Sequence, residues 1–263
     1  MDKTRFAFFG TTNYSKELLI YLIDKGYIPS IIFSIPEEFN ISYSNQKIKN
    51  SNHANIKGIA DKYKIDYYEI DSCKEKRLLN YKNLIRDLNL DLILVLGWYY
   101  MIPEEIINFP KHGTWGIHAS LLPKYAGGAP LNWAIINGEE KTGVTLFRLD
   151  NGVDSGDIIE QKEFSIEFED SIKDVYKKAT IASKEMLSDA LGNIENVRFI
   201  PQKKSEIEIY PQRKPNDGQI DLTKNSIELY NFIRAQSTPY PGAYIKTIDG
   251  KKLIIEKARL EEL

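Results

Sequence analysis

Short apolar runs alternate with helical patterns along the first part of the chain, and this order restricts the fold most. Phe6–Phe9 has the character of a buried strand that ends at Gly10. Ser15 is a predicted N-cap, with leucines and isoleucines at helical spacing behind it. Ile31–Ser34 is a second apolar run. A strand, a helix and a strand in this order predict a βαβ unit, and therefore an α/β fold with a parallel sheet.

A continuous apolar run over residues 92–96 predicts a central parallel strand that is buried on both faces. Ligands of such sheets bind at the carboxyl ends of the strands. We therefore expect a binding site over residues 97–103, which follow this run. The aromatic side chains of residues 98–100 fit either a core or a ligand platform, and the sequence leaves both open.

The chain changes character near residue 200. Prolines between residues 201 and 215 indicate an irregular connection. A helix is predicted over residues 226–235, and an Asp-Gly turn between two alternating runs predicts a hairpin after it. We expect a larger domain over residues 1–200 and a small C-terminal subdomain, a helix plus a β-hairpin, over residues 201–263.

Charge and composition exclude several classes of function. The 35 Lys and Arg residues nearly balance the 37 Asp and Glu residues, so no general basic field favours nucleic acid. No apolar stretch approaches the length of a membrane span, and the N-terminus lacks the pattern of a signal peptide. Cys73 is the only cysteine and cannot form an internal disulfide. We predict a cytoplasmic protein that binds neither nucleic acid nor membrane.

One histidine stands in a context that favours chemistry. His118 follows an apolar run and precedes a loop shaped by Pro123 and the glycines at 127 and 128. A histidine in such a place can accept or donate a proton near neutral pH. His53 and His112 lack comparable surroundings and are expected at the surface. The histidines show no metal-ligand spacing, so no metal is predicted.

Three aspartates in the glycine-rich segment after residue 149 could orient His118. They are Asp150, Asp154 and Asp157, and spacing alone does not choose among them. Ser120 is the alternative as a nucleophile, but it lacks the Gly-x-Ser-x-Gly elbow that exposes such a serine. The turn after the first strand has one glycine where a dinucleotide fingerprint needs three, although its polar residues could hold a phosphate.

These motifs together resemble the 10-formyltetrahydrofolate-dependent formyltransferases, a superfamily that acts on glycinamide ribonucleotide, methionyl-tRNA or amino sugars. The resemblance is strongest to the sugar N-formyltransferases and covers most of residues 5–190. The segments that carry it are His118–Pro123, Lys124–Pro130, Asn137-Gly138, Thr142–Thr145 and Asp150–Gly156. It implies a Rossmann-like N-terminal domain that carries the active site, with a mostly parallel sheet and a smaller C-terminal portion.

The resemblance also implies a reaction, in which a formyl group passes from N10 of the folate to a primary amine. His118 matches the family histidine, a proton acceptor or oxyanion partner, and Asp154 matches the aspartate that orients it. The implied folate contacts are Leu96, Gly97, Trp98, Met101, Asp150, Gly152 and Val153. The implied contacts to the amine substrate are Thr11, Thr12, Asn13, Ser120, Lys124 and Tyr125.

The chain departs from the family pattern at two positions. The family usually has asparagine two residues before the histidine, where it polarises the formyl oxygen, and this chain has Gly116. We expect another donor, such as a backbone amide or a water molecule, to replace it. The sugar enzymes often carry arginine after Lys-Tyr, and this chain has Ala126.

We therefore expect an enzyme that formylates a nucleotide-linked deoxy-amino sugar for a surface polysaccharide. Homodimerisation is expected by analogy with the sugar enzymes. One alternative is a methionyl-tRNA formyltransferase, which needs a larger C-terminal domain with a basic face. The other is a non-catalytic homologue that binds folate or nucleotide, an alternative that Gly116 motivates.

Overall fold

A seven-stranded sheet forms the centre of the protein, seen here in a computed structural model that describes residues 4–40, 47–50, 52–71 and 77–261. Cys73 lies outside these ranges. The strands are β1 Phe6–Phe9, β2 Ile31–Ser34, β3 Glu38–Phe39, β4 Ile48–Lys49, β5 Asp66–Glu69, β6 Leu92–Val95, β7 Thr114–His118, β8 Ala126–Gly127, β9 Lys141–Arg148, β10 Ile158–Ser165, β11 Ile209–Tyr210, β12 Ala243–Lys246 and β13 Lys252–Ile255. The helices are α1 Asn13–Asp24, α2 Lys57–Tyr63, α3 Lys82–Asp87, α4 Glu104–Ile107, α5 Pro130–Ile136, α6 Ile172–Gly192 and α7 Ser226–Ala235.

The strand order of the central sheet is β10-β9-β7-β6-β1-β2-β5. The five strands from β7 to β5 are parallel, which confirms the predicted α/β class, whereas β9 and β10 add an antiparallel edge. The chain moves outward from β1 through β2 to β5 and then returns to β6 on the other side of β1. This reversal opens a crevice at the carboxyl ends of β1 and β6, the usual ligand position in such sheets.

Two apolar layers cover the sheet, because its central strands are buried on both faces. Phe6 and Phe8 face helices α1, α5 and α6, while Phe9 and Phe33 face α3 and α4. A 3₁₀ turn over Leu78–Tyr81 leads directly into α3. Among the described helices, none combines the length and the apolar character that a membrane crossing requires.

The start of α1 differs from the prediction. Thr12, not Ser15, is the N-cap, and its side chain accepts a hydrogen bond from the backbone N–H of Ser15. The Ser15 hydroxyl accepts a hydrogen bond from the backbone N–H of Thr12 and donates one to the carbonyl of Leu96. Threonine and serine both cap helices well, so which of the two is the N-cap depends on the bond between Ser15 and Leu96. Ser15 thereby ties the first helix to the end of β6.

The C-terminal part contains the predicted helix α7 and the predicted hairpin of β12 and β13. Helix α7 packs on the larger domain, where the side-chain amide of Asn132 donates to the carbonyl of Ala235 at 2.7 Å. Arg234 is 9% exposed and donates from Nη1 to the carbonyls of Glu167 and Asp170, at 3.1 and 2.8 Å. The domain boundary expected at residue 200 stays a prediction, since the connection after it also contacts the larger domain.

We expect Arg234→Met to lower the free energy of unfolding by about 2–4 kcal/mol, because the carbonyls of Glu167 and Asp170 lose a charged hydrogen-bond donor. Urea denaturation followed by circular dichroism measures the change. Lys224→Met is the matched control, since Lys224 pairs with Glu228 on the exposed side near the start of the same helix. Equal stability of the two variants would contradict the assigned role of Arg234.

Candidate active site

A cavity of about 330 Å³ opens at the carboxyl ends of β6 and β7. His118 and Asp154 line it together with Gly116 and Gly127. Most of the remaining wall is apolar, with Val95 and Phe147 from the sheet and the loop that follows β6. The cavity therefore lies at the carboxyl end of β6, on the side of β7 rather than on the side of β1.

His118 is the last residue of β7 and is 8% exposed. Its Nδ1 lies 3.3 Å from Oδ2 of Asp154, and its Nε2 lies 2.7 Å from the carbonyl oxygen of Tyr125. Because a carbonyl can only accept, this geometry assigns the Nε2 proton to that bond. Nδ1 is then the ring nitrogen that faces the carboxylate of Asp154.

Asp154 has a left-handed backbone, with φ of 49°, and its Oδ2 accepts the N–H of Gly127 at 2.8 Å. Asp150 instead closes its own turn, accepting from the N–H of Gly152 and the hydroxyl of Ser155. Asp157 lies at a neighbouring depression beside Arg148. Of the three aspartates that the spacing left open, the structure brings Asp154 to the histidine.

The loop after His118 is fixed from β9 and β10. The Thr145 hydroxyl donates to the carbonyl of Ser120 at 2.6 Å and accepts the N–H of Leu122. Gln161 donates to the carbonyl of Leu122 at 2.8 Å. The hydroxyl of Ser120 is fully buried and donates to the carbonyl of Lys124, so the geometry gives no support to a nucleophilic role.

Six of the seven residues predicted to contact the folate line the cavity. They are Gly97, Trp98, Met101, Asp150, Gly152 and Val153. The prediction for Leu96 finds no support here, because Leu96 is fully buried and does not line the cavity. Tyr100 and Ile102 also line the cavity, within the site expected over residues 97–103. Lining residues that the sequence reasoning missed include Val95, Ile107, Ile117, Phe147 and Leu149. The alternation of side chains along β6 and β9 was the available signal for Val95 and Phe147.

The residues predicted to contact the amine substrate are divided between surface and interior. Thr11 and Thr12 are buried, and their hydroxyls bond to the carbonyl of Ile35 and to Ser15. Asn13 is exposed and donates to Asn52, and Lys124 is exposed. Substrate contact stays a prediction for this set, and the buried contacts of the two threonines do not support it.

Tyr125 connects two parts of the site. Its carbonyl accepts from His118, while its hydroxyl donates to Glu139 at 2.7 Å and accepts from Asn137. Burial raises the pKa of the phenol well above its ordinary value, so the hydroxyl keeps its proton. Tyr125 thereby belongs to the scaffold of the histidine as well as to the loop predicted to meet substrate.

Neither of the other two histidines lines the cavity. His112 was expected at the surface, but its side chain is largely buried and lies 3.4 Å from Glu195. His53 is half-buried, and its backbone forms an isolated antiparallel β-bridge with that of Thr12. Within the described ranges, no three His, Cys, Asp or Glu side chains come together as a metal site.

Gly116 lies on the same sheet face as His118, between Val95 and Phe147 in the neighbouring strands. A Cβ built on Gly116 would lie 2.6 Å from Cδ1 of Leu149. Leu149 therefore occupies the space that a side chain at this position would need.

Comparison with known proteins gives the family. Residues 5–191 match the formyl transferase family, and residues 213–263 match the formyl transferase C-terminal domain. The chain belongs to the formyl transferase family. A methionyl-tRNA formyltransferase from Thermodesulfovibrio yellowstonii is 32% identical over 97% of this chain and 80% of its own length.

Two solved structures share the fold of this formyl transferase. A likely sugar N-formyltransferase from Mycobacterium tuberculosis superposes with a TM-score of 0.73, at 18% identity, over 99% of both chains. WlaRD, a sugar 3N-formyltransferase solved in the presence of dTDP and 5-N-formyl-THF, gives a TM-score of 0.63 at 22% identity, over 89% of this chain and 80% of its own. The predicted Rossmann-like class and family are confirmed.

The contact between Gly116 and Leu149 predicts energetic coupling. We expect Gly116→Ala to cost about 1–3 kcal/mol of stability through overpacking. In the double variant with Leu149→Ala, the total cost should be about 1 kcal/mol or more below the sum of the single costs. Urea unfolding of the four proteins measures this difference, and strictly additive costs would show that residue 149 does not fill the space above Gly116.

Proposed function

We propose that this protein transfers a formyl group from 10-formyltetrahydrofolate to the primary amine of a nucleotide-linked amino sugar. The observation that carries the proposal is the His118–Asp154 pair, 3.3 Å apart at the wall of a cavity of about 330 Å³. That volume is within the ordinary range of small-molecule sites. Family membership supplies the class of reaction.

The reaction requires one proton to leave the amine. The amine nitrogen attacks the formyl carbon, a C–N bond forms, and the carbonyl oxygen becomes an oxyanion. The His118–Asp154 pair accepts the amine proton at Nδ1, where the carboxylate stabilises the resulting positive charge. The bond from the formyl carbon to folate N10 then breaks, the oxyanion returns to a carbonyl, and the proton passes to N10.

The cavity wall fits a flat heteroaromatic donor. Apolar side chains make up much of its lining, and the polar side chains of His118, Asp150 and Asp154 also lie on it. Small-molecule sites commonly combine such an apolar lining with a few polar groups that fix orientation. We assign the folate to this cavity, with Trp98, Asp150 and Val153 among its contacts. 5-N-formyl-THF was present with WlaRD, which supports a folate donor.

A sugar-nucleotide acceptor is favoured over tRNA by the charge of the C-terminal part and by the likeness in fold to a sugar enzyme. Residues 201–263 contain 11 Lys and Arg residues against 9 Asp and Glu residues, so the C-terminal part carries no strong basic excess. A tRNA-binding surface needs such an excess because phosphate contacts dominate nucleic-acid affinity. The fold of the likely sugar N-formyltransferase from M. tuberculosis also extends over 99% of both chains.

Methionyl-tRNA is the second candidate acceptor, favoured by the 32% identity to a methionyl-tRNA formyltransferase. We expect turnover with a member of a panel of dTDP-, UDP-, GDP- and CMP-linked amino sugars, and turnover with methionyl-tRNA at least about 100-fold lower in kcat/KM. Mass spectrometry detects a gain of one formyl group on the acceptor. Efficient formylation of methionyl-tRNA with none of the sugars would replace the first candidate by the second.

His118→Asn and Asp154→Asn test the site. We expect each variant to lower kcat by about 10²–10⁴, because each removes a participant in proton transfer, while the circular dichroism spectrum stays unchanged. Release of tetrahydrofolate from the 10-formyl donor gives the rate. Lys141→Met, a substitution in an exposed ion pair at the start of β9, is the control expected to keep full activity. Near-normal rates in either site variant would remove the pair from the mechanism.

A further inference from the structure

The connection between the two parts of the chain bonds directly to Asp154 and reaches His118 through the loop at residues 125–128. We name residues 202–210 the strap. Gln202 begins it with a half-buried side chain, and β11 ends it. None of its residues lines the cavity of about 330 Å³. Its contacts therefore act through other residues rather than on a ligand.

The first arm of the strap is the Gln202 amide. Its Nε2 donates to the carbonyl of Asp154 at 2.9 Å and to the carbonyl of Gly156 at 2.7 Å. These bonds fix the backbone of the residue whose carboxylate faces His118. Asp154 needs this support, since its φ of 49° lies in the left-handed region, which is unfavourable for a residue other than glycine.

The 150–157 turn is closely packed against the end of β9 at Gly156. A Cβ built on Gly156 would lie 1.7 Å from the carbonyl oxygen of Arg148. Gln202 thus bonds to the carbonyl of Gly156, at this close approach, and to the carbonyl of Asp154 two residues earlier.

The second arm is β11, which pairs in parallel with β8 and so holds residues 126–127. The N–H of Gly128 also donates to the carbonyl of Tyr210 at 2.8 Å. This stretch gives Asp154 the N–H of Gly127 and gives His118 the carbonyl of Tyr125. A Cβ on Gly127 would lie 2.6 Å from the carbonyl oxygen of Tyr210, so the glycine permits the close approach.

From these two arms we infer that Gln202 is a positioning residue for the formyl transfer, and that the strap sets the distance between Asp154 and His118. The inference rests on the proposed roles of that pair. Gln202 holds the backbone of Asp154, while β11 holds the loop that meets both side chains. The chemical group required at residue 202 is a neutral double N–H donor.

The test replaces that donor without changing its size. Gln202→Met removes both N–H groups, and Gln202→Glu presents oxygens to two carbonyls. We expect kcat to fall about tenfold or more in the first and further in the second, with KM for 10-formyltetrahydrofolate and for the best panel acceptor within about twofold. Gln202→Asn, which keeps the amide on a shorter stem, should lie between Met and the unsubstituted protein.

Lys203→Met is the matched control, because Lys203 is the adjacent residue and pairs only with Glu206 on the exposed surface in the described structure. A readout that needs no ligand is the imidazole N–H resonance of His118. Its bond to Tyr125 should protect it from exchange, and Gln202→Met should broaden it or accelerate its exchange, unlike Lys203→Met.

Activity of the His118 and Gln202 variants distinguishes a failure of the positioning role from a failure of the proposed function. If His118→Asn is inactive while Gln202→Met and Gln202→Glu retain full kcat per folded molecule, Gln202 has no positioning role. A higher KM with unchanged kcat would make Gln202 a binding residue and also overturn the inference. If His118→Asn keeps its activity, the proposed function fails first, whatever the Gln202 variants do.

Discussion

The contact between His118 and Asp154 is the constraint on which the rest of the site depends, and the sheet does not bring it about. In the register of β7 and β9, His118 lies opposite Thr145, while β9 ends at Arg148, opposite Trp115. The chain that leaves β9 starts about 10 Å from the histidine along the strand. It must fold back over the sheet face before Asp154 can approach the imidazole.

The backbone around the site is unusual at three residues. Tyr125, Ala129 and Asp154 all have left-handed φ values, from 49° to 55°. Such conformations persist where surrounding contacts determine them, and they concentrate at functional sites. Here the contacts come from Gln161 and Thr145 inside the sheet and from the strap outside it. The geometry of the proposed His118–Asp154 pair therefore depends on several separate chain segments, not on the motif at His118 alone.

The sequence predicted the elements whose signals are local. Apolar runs indicated β1, β2 and β6, and an Asp-Gly turn indicated the last hairpin. It could not choose among Asp150, Asp154 and Asp157 by spacing, because the choice depends on how one turn folds back. It also missed Gln202 and β11, since a polar residue in a proline-rich connection carries no periodic signal. Ser15 was misread as a cap because its second partner, the carbonyl of Leu96, is 81 residues away.

Gly116 shows how a departure from a family pattern can be accommodated by packing. The resemblance led us to expect asparagine there and a substitute donor in its absence. In the structure the space above Gly116 is filled by Leu149, so the wall is apolar at the point where an amide would have stood. In the proposed reaction, a donor for the oxyanion must then come from another part of the cavity wall. The loss of asparagine and the place taken by Leu149 are thus one change in the shape of the cavity.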